Sequence, residues 1–130
     1  MIKSMAKKKK TILIVEDDKY LSKAYAIKIK NAGFDILMTD NGSDGLSVAK
    51  DKKPDLIVLD LLLPRIDGFE FLKRIKADQE LKNIPVITIS VLGQKTDQEK
   101  ALSLGAEAYF IKTDYKLEEI IEKIKGYIGE

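Results

Sequence analysis

The sequence predicts an α/β fold of three layers, in which helices cover both faces of a five-stranded parallel sheet. Three observations carry that prediction. Short runs rich in Ile, Leu and Val alternate with stretches of helical period from residue 11 to residue 128, the pattern of repeated βα units. The runs ILIV (12–15) and LIVL (56–59) have no polar alternation, so both faces of those strands must be covered. At 130 residues the chain has the size of one domain, and no linker or low-complexity stretch divides it.

The elements follow in chain order. A first strand is expected at 11–16 and a first helix at 19–31, closed by Gly33 in a left-handed cap. FDILMT (34–39) is more mixed and suits an edge strand. After a helix at 43–51, Pro54 precedes the third strand (55–60), where a missing amide donor costs least. A third helix is expected at 67–77, and Pro85 opens the fourth strand (85–90). The fourth helix (95–104) stops at Gly105, and the fifth strand covers 107–112. The last helix, 116–128, is the clearest. Leu117, Ile120, Ile121, Ile124 and Ile128 make one apolar stripe opposite Glu118, Glu119, Glu122 and Lys125, with Asp114 expected as its cap. Right-handed crossovers would place helices on both sides of the sheet.

Composition excludes several chemistries. There is no cysteine and no histidine, which removes disulfide scaffolds, thiolate or imidazole metal sites, and triads built on either residue. Any nucleophile must be Ser, Thr, Lys, Tyr or a carboxylate. The formal charge of +2 conceals an asymmetry: residues 1–10 carry five lysines and no acid, whereas residues 11–130 carry 18 basic and 21 acidic groups, a net of −3. Residues 1–10 are expected to be a solvated basic arm, with Met5 as an alternative start. Residues 11–130 then form the folded domain. No apolar stretch approaches a membrane span, and no secretory signal is present, so a cytoplasmic location is expected.

The chemistry collects at the strand ends. TILIVEDD ends in Glu16, Asp17 and Asp18; DLIVLD ends in Asp60; PVITIS ends in Ser90; AYFIK ends in Lys112. In an open parallel sheet the carboxyl ends of the strands share one edge, where ligands bind. Two carboxylates ~4 Å apart repel by ~4 kcal/mol at an effective dielectric near 20. A hard divalent cation relieves that repulsion, and Mg²⁺ suits a shallow site of few carboxylates and several waters. Asp60 can then act as metal ligand or as nucleophile. Lys112 suits a phosphoryl oxygen or Asp60 itself, and Ser90 offers a hydroxyl to a phosphoryl oxygen. The set describes a pocket for a divalent metal and a phosphoryl group.

The motifs ILIVEDD, PDLIVLDLLLPRIDGFEFL, IPVITIS and GAEAYFIK resemble, in order and spacing, those of the receiver domain of response regulators in two-component phosphorelay signalling. The resemblance spans residues 11–128. It implies a doubly wound, flavodoxin-like (βα)5 sandwich with strand order 2-1-3-4-5. It implies Asp60 as phosphoacceptor, Asp17 as a direct ligand of Mg²⁺ or Mn²⁺, Glu16 as a ligand mainly through water, and the Leu62 backbone carbonyl as a further ligand. Lys112 would pair with the phosphoryl group, Ser90 would be the switch hydroxyl and Tyr109 the switch aromatic. Pro64 and Gly68 match the turn into the third helix, while Asp18 and Asp67 read as cap and turn residues. The implied role is a signalling domain without turnover of its own. It would accept a phosphoryl group from a histidine kinase or phosphotransfer protein and signal through the fourth helix, fifth strand and fifth helix, around Lys95–Ser103, Tyr109 and Lys116–Lys123. Dimerisation on phosphorylation stays open, and neither membrane nor nucleic acid is an expected partner.

Departures from the family pattern are Val91 after Ser90 and Thr113 after Lys112, where Ala or Gly and Pro are usual. Two other readings stand beside the first. One is a pseudo-receiver that binds partners without phosphorylation. The other is an aspartate-nucleophile phosphohydrolase, which would need a second acid where Leu62 stands.

Overall fold

The computed structural model describes residues 9–128. Five strands, β1 (Thr11–Val15), β2 (Asp35–Thr39), β3 (Leu56–Leu59), β4 (Val86–Ser90) and β5 (Ala108–Ile111), alternate with five helices. These are α1 (Lys19–Asn31), α2 (Gly42–Lys52), α3 (Gly68–Ala77), α4 (Lys95–Ser103) and α5 (Leu117–Ile128). All strand pairs are parallel, in the order β2-β1-β3-β4-β5. The three-layer sandwich and its strand order are as expected, with the mixed strand β2 at an edge. Most of the basic arm, residues 1–8, lies outside the described residues; Lys9 and Lys10 are exposed.

The apolar runs explain the layering. Side chains alternate across a strand, so Ile12, Ile14, Leu56, Val58, Ile87, Ile89 and Phe110 face one way. There they pack on Tyr25 and Ile29 of α1 and on Ile120, Ile121, Ile124 and Ile128 of α5. Leu13, Val15, Ile57, Leu59 and Val86 face the other way, against Ala49 of α2, Phe71, Leu72 and Ile75 of α3, and Ala101 of α4. Residues 12–15 are fully buried. Each such side chain contributes roughly 1.5–3 kcal/mol by leaving water.

The helix ends follow their sequences with one exception. Asp18, Asn41 and Asp67 cap α1, α2 and α3, their side chains accepting from the N–H of Leu21, Asp44 and Glu70. Gly33 and Gly105 sit at φ 103° and 110°, the left-handed positions that stop α1 and α4. Asp114 is not the cap of α5. Residues Lys112–Asp114 wind into a single 3₁₀ turn, and the cap position falls to Lys116, whose carbonyl accepts from the N–H groups of Glu119 and Ile120. The Glu119 carboxylate accepts from the Lys116 N–H at 2.7 Å, the reciprocal half of a capping box.

Gly68 fixes the approach of α3 to the sheet. A Cβ there would press into the Leu61 backbone and come within 2.8 Å of the Asp60 carbonyl oxygen. Gly68→Ala is expected to destabilise the fold by about 1–3 kcal/mol through overpacking, read as a lower urea midpoint at unchanged m-value.

Candidate functional site

Glu16 and Asp60 each sit one step beyond the last paired residue of their strands and are still held by the sheet. The Glu16 N–H donates to the Thr39 carbonyl at 3.1 Å, and the Asp60 N–H donates to the Val15 carbonyl at 3.0 Å. The carboxylates of Glu16, Asp17 and Asp60 therefore meet, one oxygen of each lying within 4.8 Å of the others. Glu16 and Asp60 are each 4% exposed, whereas Asp17 is open to solvent. Asp18 and Asp67, which cap helices, are not part of this group.

Lys112 joins the two buried acids from the far side of the sheet. It follows β5 and begins the 3₁₀ turn; its ammonium lies 2.9 Å from Glu16 Oε1 and 2.9 Å from Asp60 Oδ2. The remaining oxygens are met by the backbone: Leu62 N–H donates to Asp60 Oδ1 at 3.1 Å, and Asp18 N–H donates to Glu16 Oε2 at 3.1 Å. Peptide bonds are trans throughout the described residues, including the one before Thr113.

The charges are unevenly satisfied. Burial, followed by the charge of Asp60, pushes the Glu16 carboxyl up to about 7, although Lys112 and the Asp18 N–H favour its ionised form. Burial alone would lower the Lys112 ammonium. The bonds to Asp60 and Glu16 together outweigh it and hold the ammonium above its usual range. Three carboxylates of this spacing and only one cation fit a hard divalent metal.

Ser90 and Tyr109 meet through a residue the sequence did not single out for that purpose. The Ser90 hydroxyl, fully buried at the end of β4, accepts from the Leu92 N–H at 3.2 Å. The Tyr109 hydroxyl donates to the Leu92 carbonyl at 2.6 Å. Leu92 thus ties the two proposed switch side chains by its backbone alone. The Tyr109 ring is half-buried, and burial raises its phenol above the usual range. Of the remaining apolar side chains in this region, Leu62 and Val91 are about half exposed and Leu92 is partly buried.

Known proteins share both the sequence pattern and the fold. The model of the family described as "Response regulator receiver domain" matches residues 12–125. The chain is 37% identical over 121 residues to the polar-differentiation response regulator DivK of Brucella anthropi, covering 93% of this chain and 98% of that protein. It is similar in structure to a putative response regulator from Chloroflexus aurantiacus, at a TM-score of 0.87 and 25% identity over 95% of this chain and 100% of that one. It is also similar to the Mn²⁺-bound form of response regulator Rcp1, at a TM-score of 0.75 and 26% identity over 90% of each chain. Among the described residues, no helix is long and apolar enough to cross a membrane.

The raised Glu16 carboxyl makes stability depend on pH. The folded protein holds this proton up to about 7, while the unfolded chain releases it near 4.5. The folded state therefore binds more protons between those values, and stability falls as pH rises through that window. In chelator-treated protein the loss between about pH 5 and about pH 8 is expected to be about 1–3 kcal/mol. Urea unfolding at the two pH values measures it, and Glu16→Gln should flatten the difference.

Proposed function

The chain belongs to the response regulator receiver domain family, and from that premise we propose that it is a single-domain response regulator phosphorylated on Asp60. The strongest support is the arrangement of Asp60 itself: buried, paired with Lys112 at 2.9 Å, and close to the carboxylates of Glu16 and Asp17. Coverage of 98% of the DivK relative supports the single-domain reading.

In the proposed reaction a carboxylate oxygen of Asp60 attacks the phosphorus of a phosphohistidine on a histidine kinase or phosphotransfer protein. The P–N bond breaks, an acyl phosphate forms, and the imidazole leaves with the bonding pair. The Leu62 N–H steadies Oδ1 of Asp60, and Lys112 stands beside Oδ2, where it can follow the charge onto the phosphoryl oxygens. A divalent cation, Mg²⁺ or Mn²⁺, would be held by Asp17, Asp60 and the Leu62 carbonyl, with Glu16 acting through water, and would supply neutralising charge for the transferring group. The likeness to the Mn²⁺-bound form of Rcp1 supports that assignment.

Ser90 and Tyr109 carry the response. A phosphoryl oxygen accepts from the Ser90 O–H and draws the hydroxyl toward Asp60, which strains the bond its oxygen accepts from the Leu92 N–H, and any shift of Leu92 alters the acceptor that holds Tyr109. Two arrangements of this short chain differ in their bonds to the phosphoryl group, which is what biases a two-state equilibrium. The output face is α4, β5 and α5, for a downstream protein or a second copy of the chain. A cytoplasmic location belongs to the same proposal. Leu62 at the position after Asp60 where a phosphohydrolase of this type needs its second acid speaks against enzymatic turnover.

Incubation with acetyl phosphate and Mg²⁺ is expected to add one phosphoryl group by intact mass, with none in Asp60→Asn or after chelation. No addition to the wild-type protein would overturn the phosphoacceptor reading. Leu62 and Leu92 are apolar at the positions two beyond Asp60 and Ser90 that flank the path of attacking water, so the phosphoaspartate should persist for minutes or longer. Replacing both with polar residues should shorten its lifetime, followed by the decay of the added mass.

A further inference from the structure

The loop that leads from Asp60 to α3 is anchored by hydrogen bonds only at its two ends. At its start the Leu62 N–H donates to Asp60 Oδ1 at 3.1 Å, and the Leu61 carbonyl accepts from the Gly68 N–H at 2.9 Å. At its end Asp67 caps α3. Between these anchors, Leu63 to Ile66 take part in no backbone–backbone hydrogen bond among the described residues. Arg65 nevertheless holds a single sharp turn, at φ 69°. That left-handed conformation is disfavoured for any residue with a Cβ, and it persists only where the surroundings impose it.

The start of α2 imposes it. Gly42, the buried first residue of that helix, abuts the loop so closely that a Cβ there would collide with the Ile66 carbonyl oxygen and lie 3.0 Å from the Ile66 carbonyl carbon. The helix end behind this contact is itself locked. Asn41, 5% exposed, accepts from the Asp44 N–H at 2.8 Å, and its Nδ2 donates to Asp40 Oδ1 and Asp44 Oδ2 at 2.8 and 2.9 Å. On the inner side, the Ile66 side chain packs on the core layer that contains Leu61 and Phe71. The Arg65 guanidinium lies 3.9 Å from Asp44 Oδ1, with both side chains exposed, and such a pair adds little. Close approach of main chain, and not charge, is what seats the turn.

The loop seated in this way carries the Leu62 carbonyl, one of the proposed metal ligands. That carbonyl accepts no hydrogen bond from the described residues, so only the backbone on either side can aim it. Mg²⁺ demands near-ideal octahedral geometry, and ligands held even slightly loose bind it poorly. We infer that Gly42 is a positioning residue of the metal site: by admitting the Ile66 main chain it fixes the turn at Arg65, and with it the aim of the Leu62 carbonyl. The inference rests on the metal reading proposed above and brings into the site an element, α2, that supplies none of its ligands.

Urea midpoints of the full chain, followed over a Mg²⁺ series at constant ionic strength, give the Mg²⁺ dissociation constant of the folded protein. Gly42→Ala is expected to weaken binding about tenfold or more, as for other supports behind a metal ligand. Ile66→Ala, which removes the side chain that seats the turn from the core side, should weaken it in the same direction. Gly126→Ala, in α5 where a Cβ would meet nothing within 4 Å, should leave it unchanged. A packing role alone would lower the midpoint equally at every Mg²⁺ concentration and leave the constant as it was. That result in either variant would overturn the inference, and Ile66→Ala decides alone should Gly42→Ala not fold. No rise of the wild-type midpoint with Mg²⁺ would instead remove the metal site itself, so the two failures are distinguishable.

Discussion

Concentrated negative charge at one edge of a dry sheet is the constraint around which this protein is organised. Glu16 and Asp60 are taken almost wholly out of water with Asp17 beside them, and burial of unpaired charge is among the costliest things a fold can do. A single ammonium, Lys112, answers both buried acids, and two backbone N–H groups answer their outer oxygens. That balance is incomplete, as the raised Glu16 carboxyl records. The incompleteness is useful: a site holding slightly too much negative charge is prepared to take up a cation.

The rest of the fold supplies rigidity to that edge. β1 and β3, which deliver the acids, are buried on both faces, between α1 and α5 on one side and α2, α3 and α4 on the other. Packed strands of this kind do not slip, because a one-residue shift would turn every side chain to the wrong layer. Gly68 lets α3 close against the end of β3 without a side chain in the way. The position of Asp60 is therefore set by sheet register and helix docking together.

Much of this was legible in the sequence, and the exceptions share a cause. ILIV and LIVL announced doubly covered strands because alternation is absent only where both faces are dry. The α5 stripe from Leu117 to Ile128 was equally plain. The acids, Ser90 and Lys112 could be placed because each terminates an apolar run. What escaped was backbone. Asp114 looked like a cap by residue type, yet the 3₁₀ turn at Lys112–Asp114 moved the start of the helix to Lys116; the Lys116-x-x-Glu119 spacing carried a signal of half a capping box. Leu92 gave no sign of its hydrogen bonds, because its part is played by its N–H and carbonyl.

The double tie at Leu92 has a consequence for how the molecule can vary. Its N–H and carbonyl belong to successive peptide planes joined by two torsions, so Ser90 and Tyr109 are the ends of a linkage one residue long. Nothing in that linkage belongs to the isobutyl group. Residue 92 is therefore two parts in one place: a hinge pin fixed by the main chain, and a side chain at liberty to change. Any residue except proline, which lacks the N–H, keeps the pin. Under the phosphorylation of Asp60 proposed above, the partly buried side chain at this position is free to be exchanged, and the lifetime of the mark with it, without cutting the main-chain tie between Ser90 and Tyr109.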